Sequence, residues 1–256
     1  MHPFPIGMAT LTLVTGIPRA GKSSFCDAVE ASGHGFTHVP LDRYVRPVPH
    51  GETFLAWIAS PACIAWDVLL THLALLRAGV PCYSPRPAWE RGWRAWVCGG
   101  GALAAGPGRR MEPAPTGYLL AGTHAYGCPQ EAGPPLRVYV RTPMAVVAER
   151  LTGERVPRRS AGSVVRARLA ANTAHILRAV RHADLIVDGT AEHVDQVRGF
   201  LDFVRPDSAA GPGAAEGGGA VVRIGGASAQ VGPAAADLGR SAATELARGA
   251  RLARVP

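Results

Sequence analysis

A single lysine, Lys22, stands in this chain beside 26 arginines. It lies in the run Gly16-Ile17-Pro18-Arg19-Ala20-Gly21-Lys22-Ser23-Ser24, which has the form G-x-x-x-x-G-K-[ST]. Glycines at 16 and 21 let the backbone curl so that successive N–H groups from residue 16 to residue 24 face one anion. A helix opening at the end of the run adds a favourable field for negative charge. Lysine complements these donors because its ammonium is a compact point charge on a flexible stem that fits between two phosphates, whereas a guanidinium is a planar fork. Ser23 supplies a hydroxyl of the kind that binds Mg²⁺. The chemistry expected of residues 16–24 is therefore capture of a nucleotide polyphosphate, ATP with Mg²⁺.

Such a loop works only between a strand and a helix, and the flanking residues provide both. "LTLVTG" reads as a strand and "KSSFCDAVEAS" as a helix. The alternation continues with "FTHVPLD" (strand), "CIAWDVLLTHLALLRAG" (helix), "VPCYS", "YLLAG" and "LRVYVRT" (strands), and "PMAVVAERL" and "VVRARLAANTAHILRAVRHA" (helices). "DLIVDG" is a last strand and "EHVDQVRGFLDFV" a closing helix. Strands alternating with helices predict an α/β fold, a mostly parallel central sheet covered on both faces in three layers, α/β/α, over residues 1–205. Residues 206–256 hold 15 alanines and 10 glycines and no aromatic residue, so a disordered low-complexity tail is expected there.

Composition narrows the partners. The net charge is +8, and the tail accounts for only +1 of it, from five arginines against four acids. The excess suits anionic ligands. No apolar run approaches a membrane span, and the N-terminus lacks the basic and apolar regions of a secretory signal. Five scattered cysteines without a C-x-x-C pair argue against a disulfide framework and for a reducing, cytoplasmic setting. Eight arginines between residues 150 and 181 are the one feature favouring nucleic acid. Aromatic content is only 6%, so no nucleic-acid partner is expected.

The lone lysine also removes alternatives. Neither the N-K-x-D base-recognition element of GTPases nor the separate strand lysine of protein kinases can exist without a second one. No D-E-x-x box is present. Small-molecule kinases remain. Asp42 in "PLDRYVRP" closes a strand, where an acceptor hydroxyl would meet the γ-phosphate, and could take the hydroxyl proton or help hold Mg²⁺.

From "GIPRAGKSS" through "LDRY", "SPACIAWDVLLTHLALLRAGVPCYS", "YLLAGTHAYG", "VYVRTPMAVVAERLTGERVPRR" and "ADLIVDG", the chain resembles the uridine kinase and phosphoribulokinase family of P-loop kinases, over roughly residues 10–204. The resemblance implies a P-loop NTPase fold and transfer of phosphate from ATP, with Mg²⁺, to a hydroxyl of a small molecule, a nucleoside first. It makes Asp42 the general base and a Mg²⁺ ligand with Ser23, and puts Tyr44 and Tyr83 beside the acceptor. It also places Arg150, Arg155 and Arg159 in a lid of about 150–163 that stabilises charge on the transferring phosphoryl group.

Two positions depart from the family's pattern. Its aspartate after the tyrosine is Ser84, and the Mg²⁺-ordering glutamate of its "Glu-Gly" strand end is Ala121. His124 is then a candidate to assist, as a contact to acceptor or metal. Asp188 in "LIVD" is a further replacement candidate, although a strand after the lid is expected to lie away from the loop. Residues 85–115 match no family motif and are expected to form an acceptor-side insertion. There Trp89, Trp93 and Trp96 recur at helical spacing, as a core anchor or an aromatic wall for a ring-bearing acceptor. Sugars and antibiotics stay open as acceptors, and Ala121 motivates a rival reading as a nucleotide-binding domain without turnover.

Overall fold

A computed structural model describes residues 9–46, 48–87, 96–97, 108–129, 135–152, 176, 179–204 and 222–224. The first strand, β1 (Thr10–Thr15), runs into the glycine loop, and α1 (Lys22–Ala31) leaves it. β2 (Phe36–Pro40) follows and ends in a 3-10 turn, Leu41–Tyr44. Next come the short α2 (Phe54–Ile58) and the longer α3 (Trp66–Arg77). Four two-residue strands form two antiparallel pairs outside the main sheet: β3 (Cys82–Tyr83) with β6 (Arg110–Met111), and β4 (Arg86–Pro87) with β5 (Trp96–Val97). The chain then returns to the sheet with β7 (Gly117–Ala121), β8 (Leu136–Arg141), α4 (Met144–Thr152), β9 (Leu185–Asp188), α5 (His193–Val204) and β10 (Val222–Ile224).

Among the described residues the main sheet has six strands in the order β10-β9-β8-β1-β7-β2, every pairing parallel. Alternation along the central strands explains why the sheet is buried on both sides. Leu13, Tyr118 and Leu120 point into a cluster with Leu69, Leu73 and Leu76 of α3. Their neighbours Val14 and Leu119 point the other way, against Phe25 and Val29 of α1 and Phe200 of α5. Phe200 sits edge-on to Phe25 and Phe36, with ring centroids at 5.6 and 5.4 Å. Each fully buried Leu, Val or Phe contributes about 1.5–3 kcal/mol of transfer free energy, so two apolar clusters on opposite faces hold three layers together. The α/β class with a parallel, doubly covered sheet is as the sequence predicts.

Three expectations change. "VPCYS" does form a strand, but β3 pairs only with β6; two residues bounded by proline are too short for a central strand. Trp96 does not continue a helical face: it lies in β5, opposite Pro87, while Trp89 and Trp93 fall outside the described residues. The tail is not wholly without order, because Val222–Ile224 adds an edge strand beside β9, with Arg223 opposite Ile186. The average composition of residues 206–256 hid a local "VVRI", the one β-branched run of that segment. Among the described residues no helix is long and apolar enough to cross a membrane.

The carboxyl ends of the strands lie level. Ala121 of β7 is opposite both Val14 and Pro40, and Arg141 is opposite Asp188. β1 lies between β7 and β8, and the chain fills one side of it before crossing to the other. The loop after β1 therefore opens at the point where strand order reverses, where α/β sheets take their ligands.

Candidate functional site

The loop between β1 and α1 turns at its two glycines. Gly16 has φ 155° and Gly21 φ 97°. A Cβ at Gly16 would come within 2.5 Å of the Val140 carbonyl oxygen, so the loop packs against β8 more closely than any side chain allows. Gly21 is the N-cap of α1, no side chain caps the helix, and its first turn contains no acid. The helix thus begins with amide donors that have no partner within the helix, beside basic rather than acidic residues, the kind of terminus that favours negative charge.

Loop carbonyls are satisfied by protein groups. Lys22 Nζ donates to Ile17 O at 2.9 Å, Thr142 Oγ1 to Ala20 O at 2.7 Å, and Arg150 Nη1 to Arg19 O at 3.1 Å. Arg150 Nη2 also donates to Gly189 O at 3.0 Å, so one guanidinium joins the loop to the turn after β9. Gly189 fits because it lacks a side chain: a Cβ there would lie 2.1 Å from Thr142 Oγ1 and 2.2 Å from Ala20 O. Gly189→Ala is expected to cost about 1–3 kcal/mol by forcing that contact apart, read as a lower urea midpoint together with weakened ATP binding.

Lys22 is half-buried, and its ammonium is held below the ordinary lysine pKa. Burial is the main cause; Arg19 works in the same direction, and the carboxylate of Asp42 is the strongest influence against it. Lys22 and Asp42 therefore share one electrostatic site, although 20 residues separate them in sequence. Asp42 reaches it through the 3-10 turn. With three residues per turn, Leu41 and Tyr44 share a face and go inward while Asp42 stays exposed. β4 packs against this turn, which brings the segment carrying Tyr83, itself half-buried, to the same end of the sheet.

Other expected site residues are placed differently. Tyr44 belongs to the core: it is fully buried and its hydroxyl lies 2.9 Å from His72 Nδ1 and 3.9 Å from Met111 Sδ. The turn that exposes Asp42 is what turns Tyr44 away from an acceptor. His72 is 2% exposed and its Nε2 has no partner among the described residues, so Tyr44→Phe leaves the whole imidazole unsatisfied. We expect a loss of about 1–3 kcal/mol, measured by urea denaturation.

His124 is likewise buried, and its Nε2–H donates to the Ile58 carbonyl at 2.8 Å, tying the end of β7 to α2. Burial holds its pKa below the ordinary histidine value, against opposing effects of the Ile58 carbonyl and Asp42. Its Nε2–H holds backbone in this structure, and the Asp42 carboxylate lies close enough to act on its charge. Asp188 does end beside the loop, contrary to the distant placement expected, but its Oδ1 accepts from Thr190 N at 2.8 Å and Thr190 Oγ1 at 2.6 Å and closes its own turn. Ser84 is buried with Oγ donating to Arg109 O at 3.2 Å, so it replaces an acceptor contact with a structural one. Arg155 and Arg159 lie outside the described residues.

A polar cluster escaped the sequence reading. Asp27 and Glu30, one turn apart on α1, take hold of His38 and Arg109: His38 Nδ1 donates to Asp27 at 2.8 Å, His38 N to Glu30 at 3.2 Å, and Arg109 to both acids. The hydrogen bond from His38 is the main reason Asp27 ionises below the ordinary carboxylate range. Arg109 O also accepts from Ser84 N at 2.9 Å. The far end of the 85–115 segment is thereby fastened to the helix that leaves the phosphate loop. The i, i+3 acids on α1 were the available signal, but their partners lie up to 82 residues away in sequence.

For Mg²⁺ the available donors are the exposed Ser23 hydroxyl and the exposed Asp42 carboxylate. Among the described residues no cluster of three acids, histidines or cysteines gathers as a closed metal site. One hydroxyl, one carboxylate and phosphate oxygens are the set that Mg²⁺ takes in nucleotide sites, so the residues fit the ion.

No protein-family description and no curated protein matches the chain. Among solved structures it is similar to one described as "putative fructose transport system kinase" from Silicibacter sp. TM1040, at 17% identity over 72% of this chain and 89% of that one, with a TM-score of 0.46. It is also similar to a "possible uridine kinase" from Bacillus stearothermophilus, at 10% identity over 72% and 91%, with a TM-score of 0.45. What the chain does has to come from its own residues.

Proposed function

We propose that this protein is an ATP-dependent phosphotransferase that phosphorylates a hydroxyl of a small molecule, a nucleoside being the first class to test. The observation that carries this reading is geometric: Lys22 opens the uncapped helix after the glycine loop, and Asp42 is exposed on the turn after β2, whose end lies level with that of β1 across β7. A loop that binds phosphate needs no carboxylate close by, since acid next to an anion site weakens it. A kinase does need one, to accept the proton of the attacking hydroxyl.

In this reading the loop amides and Lys22 hold the polyphosphate, and Asp42 orients and deprotonates the acceptor. Arg150 keeps the loop in shape from behind, and Arg155 and Arg159 are the lid arginines that stabilise charge and exclude water. Ser23 and Asp42 would hold Mg²⁺, which supplies charge neutralisation of the phosphates when bound. Among the described residues the buried thiols of Cys26, Cys63 and Cys82 are free, which suits a reducing cytoplasm. Tyr83 and the 85–115 segment form the acceptor side.

The experiment is ADP release from ATP and Mg²⁺ across nucleosides, sugars and hydroxylated antibiotics, with Lys22→Ala and Asp42→Ala as controls. Acceptor-dependent release abolished by both substitutions supports the reading and names the acceptor class. ATP binding with no acceptor stimulating turnover overturns it.

One observation favours a second reading, nucleotide binding without turnover. Ala121 ends β7 directly beside β1, is 4% exposed, and carries no oxygen with which to order a metal's water shell. That reading predicts saturable ATP binding, no acceptor-stimulated ADP release in the native chain, and new turnover in Ala121→Glu.

A further inference from the structure

Asp42 is exposed, and its carboxylate makes no hydrogen bond or ion pair among the described residues. Where that carboxylate can reach is therefore set by the backbone beneath it. The 3-10 turn Leu41–Tyr44 has four residues, too few to keep a shape by its own hydrogen bonds. Its shape comes from what its two buried residues touch.

Those contacts bracket Asp42. On one side Leu41 enters a notch that exists because residue 122 is glycine: a Cβ there would lie 2.5 Å from the Leu41 Cβ. On the other side Tyr44 is fully buried with its hydroxyl 2.9 Å from His72 Nδ1, and the two rings meet edge-on with centroids 5.7 Å apart. Backbone bonds extend the attachment, since Ala65 N donates to Tyr44 O at 2.8 Å and Arg46 N to Cys63 O at 2.6 Å. The residues leading into α3, and His72 within it, together grip the turn.

The two brackets differ in kind. Apolar packing at Leu41 is non-directional, whereas a hydrogen bond at Tyr44 fixes an orientation. His72 is a costly residue for its place. It lies on the buried face of α3 with Leu69, Leu73 and Leu76, and its Nε2 has no partner among the described residues. Burial also holds its pKa below the ordinary histidine value, so the ring is neutral at pH 7 and offers the turn a hydrogen bond rather than a charge. A leucine there would complete the apolar face without an unsatisfied nitrogen.

We propose that His72 is a positioning residue for Asp42, acting through the Tyr44 hydroxyl to hold the turn at the angle from which the carboxylate meets the acceptor. The inference rests on Asp42 being the general base and adds to it the group that aims it.

The native chain, Tyr44→Phe, His72→Leu and His72→Asn should be compared at full length, using the acceptor that gives ADP release and a temperature at which all four are folded. His72→Asn is the conservative variant, because its side-chain amide can take the place of the ring's Nδ1. Tyr44→Phe and His72→Leu are each expected to lower kcat about tenfold, with the Kd for ATP within about twofold of the native value. Both changes break one bond, so the double variant should lose no more than either single one. His72→Asn is expected to bring kcat back to within about threefold of native. Values of kcat within about twofold of native in Tyr44→Phe and His72→Leu, or no recovery in His72→Asn, overturn the inference and leave the phosphotransferase reading intact. Absence of acceptor-stimulated turnover in the native chain overturns both.

Discussion

Replacing Lys22 with alanine is expected to lower phosphotransfer by about 100- to 1,000-fold, the effect of removing one preorganised charge donor from a reacting phosphoryl group. The side chain has no substitute in this loop: its Nζ lies within reach of Ile17 O, inside the curl. Lys22→Arg should not rescue activity, because a guanidinium cannot occupy that space as a point charge. The pH dependence supplies an independent check. Burial holds the Lys22 pKa below the ordinary value, and the ammonium is the form that binds phosphate. ATP affinity should therefore be intact at neutral pH and fall as pH rises through a value below the ordinary lysine range of about 10.4. Affinity unchanged up to that range, or full activity in Lys22→Ala, would remove Lys22 from the site.

Asp42→Asn is the second large effect. Loss of a general base costs about 100- to 10,000-fold in turnover, with ATP still bound. The same substitution acts on Lys22. Asp42 is the strongest influence raising that pKa, so without its charge burial goes less opposed and the pKa drops further. The alkaline limb of ATP binding in Asp42→Asn should accordingly move to lower pH than in the native chain. A rate loss with no shift of that limb would mean the two groups do not act on each other. A shift with no rate loss would mean Asp42 is an electrostatic partner of Lys22 and not the base. Both measurements use one variant, and Asp42 is exposed, so the fold should survive the change.

Residue type and spacing in the sequence were enough for the α/β class, the parallel sheet and the strand–glycine loop–helix order at its centre. These are local properties: a glycine pair, a strand pattern and a helix pattern each act over a few residues, and the two sheet faces can be read from alternation in strands such as Leu13–Val14 and Leu119–Leu120. Asp42 was legible for the same reason, as an acid directly after a strand. Its neighbour Tyr44 was not, because only the 3-10 turn decides that the two point in opposite directions. His124 and Arg150 look like site residues by type. The burial of His124 and the carbonyl partners of both, Ile58, Arg19 and Gly189, are set by elements packed together from distant parts of the chain. Sequence by itself thus determined the layering of strands and helices and where the glycine loop falls between them. Tertiary structure decided which polar side chains are left over for chemistry, because each one that satisfies a buried backbone group is withdrawn from the site, and that withdrawal depends on neighbours far away in the chain.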